Sequence, residues 1–387
     1  MKIPNGWKPY EFGKAVSFNP KVQFQRGEQY MFIEMDDITP ADKYVTGKEK
    51  RVYTTGSCSK FKNDDVLFAR ITPCLDNKKI ATAAIGENQV GFGSTEFIVL
   101  RAKENITIQE YVHYLSKSEY IIQNAINSYV GASGRQRADA KFIKKVIVPI
   151  PKIPEQQRIA SILSAYDDLI ENNNKRIALL EQMAEQIYKE WFVRMRFPGF
   201  ESTEFEKGVP KGWEVKKFGR VYNTQYGNNL PTEKIQPKGK YAVYGAGGLL
   251  GFHSRKNTNE LTSLITCRGN GSGTVWRTNT REAFVTNNSF KVNLLLPIKD
   301  EIYFSFYHLK HAAISQSITG SAQPQITIDN LSKLNVLFPT EDLIKKFINV
   351  AKGPFQLGDN LRLQNHILIK TLDLLLPRLI SGKLKVK

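Results

Sequence analysis

The residues of this chain that could do chemistry are few, and their spacing excludes most of it. Methyl transfer to the exocyclic amine of a base needs a motif of the form [DNS]-P-P-[YFW], and no two prolines are adjacent in this sequence. A phosphate-cradling loop needs G-x-x-x-x-G-K-[ST]. Gly13-Lys14, Gly47-Lys48, Gly239-Lys240 and Gly382-Lys383 are never followed by Ser or Thr. Nuclease-like acidic-x-Lys triplets stand at Asp76-Asn77-Lys78, Asp139-Ala140-Lys141 and Glu214-Val215-Lys216. None follows a Pro-Asp pair, and a lysine-rich chain produces such triplets by chance. His308 and His311 fall at i, i+3 on an expected helix, but no nearby Cys, Asp or Glu completes a clear metal set, so they read as structural. Cys58, Cys74 and Cys267 form no C-x-x-C pair, which argues against zinc and fits a reduced, cytoplasmic chain. The reading is of a chain with no catalytic residues and no metal.

What remains is binding chemistry. "FARITPCLDNKK" sets Arg70, Lys78 and Lys79 around a turn, and "GASGRQRADAK" sets Arg135, Gln136 and Arg137 beside two glycines. "GFHSRKNTN" offers Arg255, Lys256 and Asn257, "CRGNGSG" offers Arg268, Asn270 and Ser272, and "GSAQPQ" offers Gln323 and Gln325. Arginine bonds bidentately to guanine, and Asn and Gln to adenine. Lys and Ser usually hold phosphates. Gly269, Gly271 and Gly273 lack the later acidic ribose partner of a dinucleotide loop and read as a tight turn. Any one of these side chains is explained as well by a solvated loop. The set, repeated in both halves, reads as a DNA-contact surface.

The elements that must position these loops also come twice. "GASGRQRADAKFIKKVIVPIP" ends at Pro151 and "TGSAQPQITIDNLSKLNVLFP" at Pro339, 188 residues later. "PNGWKPYEFG" from Pro4 is echoed by "PKGWEVKKFG" from Pro210, pairing Trp7 with Trp213 and Gly13 with Gly219. Repetition at half the chain length marks a duplicated unit. Each copy is rich in turns and β-branched residues, with strands expected within 64–74 and 95–102. Helices are expected at 108–126 and 301–316.

A long helix signal follows each copy. In the first, Pro154 and Glu155 suit a first turn. A stripe through Ile159, Ile162, Leu169, Asn173, Ile177, Leu180 and Ile187 has coiled-coil spacing, with a phase slip at Asn173 that reads as a stutter. In the second, Leu361, Leu368, Leu372 and Leu375 form the stripe, Asn360 echoes Asn172, and Gly353-Pro354 is expected to interrupt the helix. Some 36 helical residues would span ~55 Å, more than a domain core needs. The fold class expected is α+β: two pseudo-repeated globular domains joined by two long helices that pair as an antiparallel coiled coil. The boundaries are 1–153 and 198–339 for the globules, with 154–197 and 340–387 for the helical regions.

Charge narrows the partner. The formal net charge is +18 over 387 residues, and the sequence pI is 9.6. A polyanion fits that balance. No apolar run reaches the ~18 residues of a membrane span, and the N-terminus lacks a signal-peptide core.

With both Pro-x-Gly-Trp starts, "ARITPCLDNKK", "GFGSTEFIVLR", "PKIPEQQRIASILSAYDDLIENNNKRIALLEQM", "GSAQPQITIDNLSKLNVLFP" and "LLLPRLISGKL", the chain resembles the specificity (HsdS) subunit of a type I restriction–modification system over nearly its whole length. The resemblance implies two target-recognition domains, each reading half of a split, asymmetric site on double-stranded DNA, and helices that act as ruler and dock. It implies two modification (methyltransferase) subunits carrying S-adenosylmethionine, and restriction/translocase subunits using ATP and Mg. No cofactor is expected on this chain. Two other classes stand beside this reading: a stand-alone DNA-acting enzyme with an unrecognised site, and a bivalent protein scaffold.

Overall fold

The computed structural model describes residues 3–40, 42–54, 56–132, 134–320 and 323–386. Two compact units divide it: residues 1–174 with 363–387, and residues 175–362.

Unit 1 begins with β1 (Lys8–Glu11), the single turn α1 (Phe12–Ala15) and β2 (Val16–Phe18). It continues through β3 (Gln29–Ile33), β4 (Tyr44–Val45), β5 (Glu49–Val52), β6 (Ser59–Lys62), β7 (Val66–Ala69), β8 (Ile80–Ala83), β9 (Val90–Gly93) and β10 (Phe97–Ala102). Five strands form one sheet in the order β2-β10-β7-β8-β4, and four form another in the order β5-β3-β9-β6. β7 and β8 are buried at every position, as strands covered on both faces must be. The expected helix at 108–126 is two helices, α2 (Gln109–Ser116) and α3 (Glu119–Asn127). Ser118 divides them, its side chain capping α3 at the Ile121 N–H. The hairpin β11 (Tyr129–Val130) and β12 (Arg137–Ala138) follows, then α4 (Ala140–Lys145) and β13 (Ile147–Ile150), which closes back on β1.

The long helix α5 (Ile153–Tyr188) runs on through a wider turn over Lys189–Val193. Unit 2 then repeats the plan. After the hairpin β14 (Phe205–Glu206) and β15 (Val209–Pro210) come β16 (Glu214–Lys217), α6 (Phe218–Val221) and β17 (Tyr222–Tyr226). β18 (Tyr241–Gly245), β19 (Gly248–His253), β20 (Ser263–Thr266), β21 (Val275–Arg277), β22 (Ala283–Val285) and β23 (Ser289–Leu294) build sheets ordered β17-β23-β20-β21 and β19-β18-β22. α7 (Ile302–His311), a short turn at Ile314–Ser317, β24 (Ile318–Thr319), β25 (Gln325–Ile326), α8 (Ile328–Ser332) and β26 (Asn335–Phe338) lead to α9 (Glu341–Ile380). The duplication extends to single contacts. A Cβ on Gly13 would meet the Lys144 Cβ at 2.9 Å, and one on Gly219 would meet the Ser332 Cβ at 3.0 Å. The two repeats thus need glycine where α1 crosses α4 and α6 crosses α8.

Within each unit the segments of α5 and α9 pair antiparallel, and two features of the expected helices change. Ile162 and Leu169 are 38% and 46% exposed, whereas Leu163 and Ile170 are buried. The inward stripe is Ile159, Leu163, Tyr166, Ile170, Asn173, Ile177, Leu180, Ala184, Ile187 and Trp191, each buried or half-buried. Its steps alternate four and three throughout, so the expected stutter at Asn173 disappears. Both stripes satisfy helical spacing, and the one that is buried is the one the domain core contacts: Ile159 and Leu163 join the unit 1 cluster. Second, α9 passes through Gly353-Pro354 unbroken. Pro354 removes a hydrogen bond to Val350, an exposed residue whose carbonyl water can serve, while buried Ala351 and Phe355 anchor the turn. The polar partner of Asn173 in the seam is Asn365, whereas Asn360, the sequence echo of Asn172, is exposed. Asn173 donates to the Asn365 side-chain oxygen at 2.9 Å, and Asn365 donates to Asn174 at 2.8 Å. The stripe on α9 includes Leu361, Asn365, Leu368, Leu372, Leu375 and Leu379.

Candidate nucleic-acid interface

In each unit, two loops far apart in sequence are zipped together at the end of a central strand. In unit 1 the chain leaves β7 at Arg70. The Ala138 N–H donates to the Arg70 carbonyl at 2.7 Å, and the Thr72 N–H to the Gln136 carbonyl at 3.0 Å. The Gln136 N–H donates to the Thr72 hydroxyl at 3.1 Å. In unit 2 the Ile326 N–H donates to the Cys267 carbonyl at 2.9 Å, the Gly269 N–H to the Pro324 carbonyl at 3.0 Å, and the Ser272 hydroxyl to the same carbonyl at 2.8 Å. Gly269 and Gly273 take φ of +85° and +90°, so the glycine run is a tight turn. The structure therefore brings Arg70, Arg135, Gln136 and Arg137 to one edge, and Arg268, Asn270, Ser272, Gln323 and Gln325 to the equivalent edge of the second unit. Ser133, Ser321 and Ala322 lie outside the described residues.

The side chains differ in how free they are. Arg135, Arg268, Asn270, Gln323 and Gln325 are exposed. Arg137 is forked onto Glu96 with bonds of 2.6 and 2.9 Å to one oxygen, which pushes its affinity for its proton up. Lys78 pairs with Glu119 at 2.9 Å, and Lys79 bonds the Met35 carbonyl at 2.9 Å and Asp36 at 3.2 Å. Exposed pairs such as Arg137–Glu96 and Lys78–Glu119 are worth little, so a phosphate can compete for the cation. Ser272 spends its hydroxyl holding the turn. Arg255 is exposed and Lys256 pairs with Glu282. Among the described residues no hydrogen bond or ion pair joins that segment to the Arg268 loop. Asn257 is a structural residue: its amide bonds the Val285 carbonyl and accepts from the Val285 N–H.

The groups weighed for catalysis are structural. Asp139 caps α4 through the Lys141 N–H, Asp76 accepts from the Tyr129 hydroxyl, and Glu214 pairs with Lys216 along β16. His308 is fully enclosed. Its Nε2 meets the Leu337 carbonyl at 2.9 Å, which can only accept, so this nitrogen carries the proton and Nδ1 accepts from the Tyr222 hydroxyl at 2.6 Å. Burial lowers its pKa to about 4. His311 stacks on Tyr188 beside Glu185. Among the described residues no group of three or more His, Cys, Asp or Glu could hold a metal ion, and no helix is long and apolar enough to cross a membrane.

Sequence reasoning passed over a second polar surface in unit 1, beside Arg70, that includes Lys21, Gln23 and Lys60. The signal available was the short polar run Ser57-Cys58-Ser59-Lys60 leading into β6.

A family model described as the type I restriction modification DNA specificity domain matches residues 11–182 and again residues 210–348. The MjaIX specificity subunit of a type I restriction enzyme from Methanocaldococcus jannaschii is 28% identical over 313 residues, 72% of this chain and 70% of that relative. The HindI specificity subunit from Haemophilus influenzae is 21% identical over 474 residues, 98% of this chain and 99% of that one. The match to the EcoAI specificity subunit of Escherichia coli, 27% identical, spans 48% of this chain and 33% of that protein. In fold, the crystal structure of a type I restriction–modification S subunit from M. genitalium superposes with a TM-score of 0.54 at 18% identity, covering 98% of both chains. With the family model matched once in each half, over most of the chain's length, the chain belongs to the type I restriction modification DNA specificity family.

Proposed function

We propose that this chain is the non-catalytic DNA-recognition subunit of a type I restriction–modification complex and reads a bipartite, asymmetric target. Residues 1–153 and 198–339 each take one half-site, and the helical regions 154–197 and 340–387 set the separation and dock partners. Two modification subunits supply S-adenosylmethionine and the methyl transfer. Restriction/translocase subunits, with ATP and Mg, complete the nuclease. The complex works in the cytoplasm. The observation that carries this reading is the pair of zipped loops: the same strand end in two repeats presents unlike side chains, Arg70, Arg135 and Gln136 in one and Arg268, Asn270 and Gln325 in the other. A duplicated scaffold with divergent tips suits two different half-sites.

The test is to map methylated bases by long-read sequencing in hosts carrying the modification subunit with and without this chain. A split, asymmetric motif that depends on the chain is expected. A palindromic motif removes the two-half-site reading. No new methylation, with the partner bound and active, removes the recognition role.

A further inference from the structure

One recess of unit 1 lies beside the zipped loops and shares Arg70 with them. It measures 610 Å³ and sits between the segment after β2, the start of β6, and the chain leaving β7. Lys21, Gln23, Ser57, Lys60, Arg70 and Thr95 line it, and no Asp or Glu does. Among the described residues neither Lys60 nor Arg70 is paired with a carboxylate. The Lys60 ammonium stands 4.8 Å from the centre of the Tyr53 ring and 5.4 Å from that of Phe24. Those rings pack in turn on Phe92. Aromatic faces hold a cation in place and leave its charge intact. The Arg70 Nε is buried and has no hydrogen-bond partner. A buried donor without an acceptor is costly, and cations gathered in a recess without a carboxylate repel one another. An acceptor-rich ligand relieves both.

We propose that this recess reads a guanine of the half-site taken by unit 1. Arg70 and Lys60 receive the O6/N7 edge, the pairing that a guanidinium fork matches best, and Lys21, exposed at the rim, meets a flanking phosphate. The proposal rests on the DNA-recognition role above. Among the described residues unit 2 has no counterpart of Arg70. The place of Arg70, defined by the carbonyl that accepts from β12, is taken by Cys267, whose carbonyl accepts from β25 and whose side chain is buried. The pocket therefore belongs to one half-site only.

The experiment uses the full chain assembled with its modification subunit. It titrates the mapped target, single-base-pair variants of both half-sites, and a non-target duplex. Arg70→Gln should weaken target binding about 10- to 100-fold and abolish discrimination at one G·C pair of one half-site. Lys60→Gln should cost several-fold at the same pair. Discrimination across the other half-site stays intact in both variants, which also reports that the fold is kept. Equal losses on target and non-target DNA, with a shallower salt dependence, would assign the recess to a phosphate and overturn base reading. Unchanged discrimination at every position overturns it as well. If the unaltered assembly prefers no sequence, the recognition role itself has failed, a result distinct from failure of the pocket.

Discussion

At the root of α5 the Trp7 indole N–H donates to Glu155 at 3.1 Å. The next residue, buried Gln156, donates to the carbonyls of Ile106 and Pro151 and accepts from the Ile108 N–H. In the second repeat these two helix positions are Leu343 and Ile344, both buried, and Trp213 packs on Phe192 and Phe197. One fold thus fastens its long helix once with directional bonds and once with apolar area. Hydrogen bonds to three backbone groups admit a single seating of the helix, while apolar packing rewards burial and is less particular about angle. The proline-Glu-Gln junction conspicuous in the first half is therefore one of two solutions, and its absence from the second half leaves α9 as regular as α5.

Exchanging the two solutions is the most severe way to break the comparison. Ile344→Gln places an amide where no partner exists and should cost about 4 kcal/mol in urea unfolding. Gln156→Leu strands three backbone groups and should cost about 3 kcal/mol. A loss below about 1 kcal/mol in either would mean that the two fastenings are interchangeable.

Acid sharpens the same contrast. His308 in unit 2 has its pKa depressed to about 4 by burial, and His113 in unit 1 is fully buried and held well below the usual histidine range. A base whose folded pKa is depressed stabilises the neutral-pH fold. That stability is present above the unfolded pKa of about 6.5 and is lost as pH falls toward the folded value. For His308 the loss amounts to about 3 kcal/mol between pH 6.5 and 4. Unfolding curves at pH 7 and pH 4.5 check this, and His308→Gln should flatten the slope for unit 2 alone.

Smaller effects are expected in the seam and at the loop edge. Replacing Asn173 and Asn365 together with Leu removes a polar pair and should raise stability by about 1 kcal/mol, with melting temperature as the readout. Arg137→Ala should change stability by no more than about 1 kcal/mol, because the arginine end of its pair with Glu96 is about half exposed. Glu96→Gln frees that arginine and should tighten DNA binding at low salt.

Much of this was legible in the chain. The duplication and the two long helices follow from Pro-x-Gly-Trp, the 188-residue offset and the apolar spacing, whereas the pairing of loops within each unit joins segments too far apart to be read from spacing. The phase of the seam was not legible, because Ile162 and Leu163, or Leu169 and Ile170, fit a helical stripe equally well and only the domain core chooses between them. Gly353-Pro354 misled because the local propensity against a helix is outweighed by Ala351 and Phe355 packing in the unit 2 core. At the interface, Arg137 and Glu96 lie 41 residues apart, so its neutralisation could not be read from spacing. The cation recess draws on four separate segments and left only the polar run Ser57–Lys60 as a trace.

The asparagine rung has a consequence for which half-chains can associate. The 188-residue offset carries Asn173 onto Leu361 and Asn365 onto Ile177. Two copies of the first half, docking by the same helix geometry, would set each Asn173 against an Ile177. Two copies of the second half would set each Asn365 against a Leu361. Only the unlike pairing matches amide with amide and leaves the aliphatic pair to itself. At about 1–3 kcal/mol for each stranded amide, incurred twice in a symmetric dimer, separated halves would discriminate against their own kind. A single polar rung is enough to tell complement from copy.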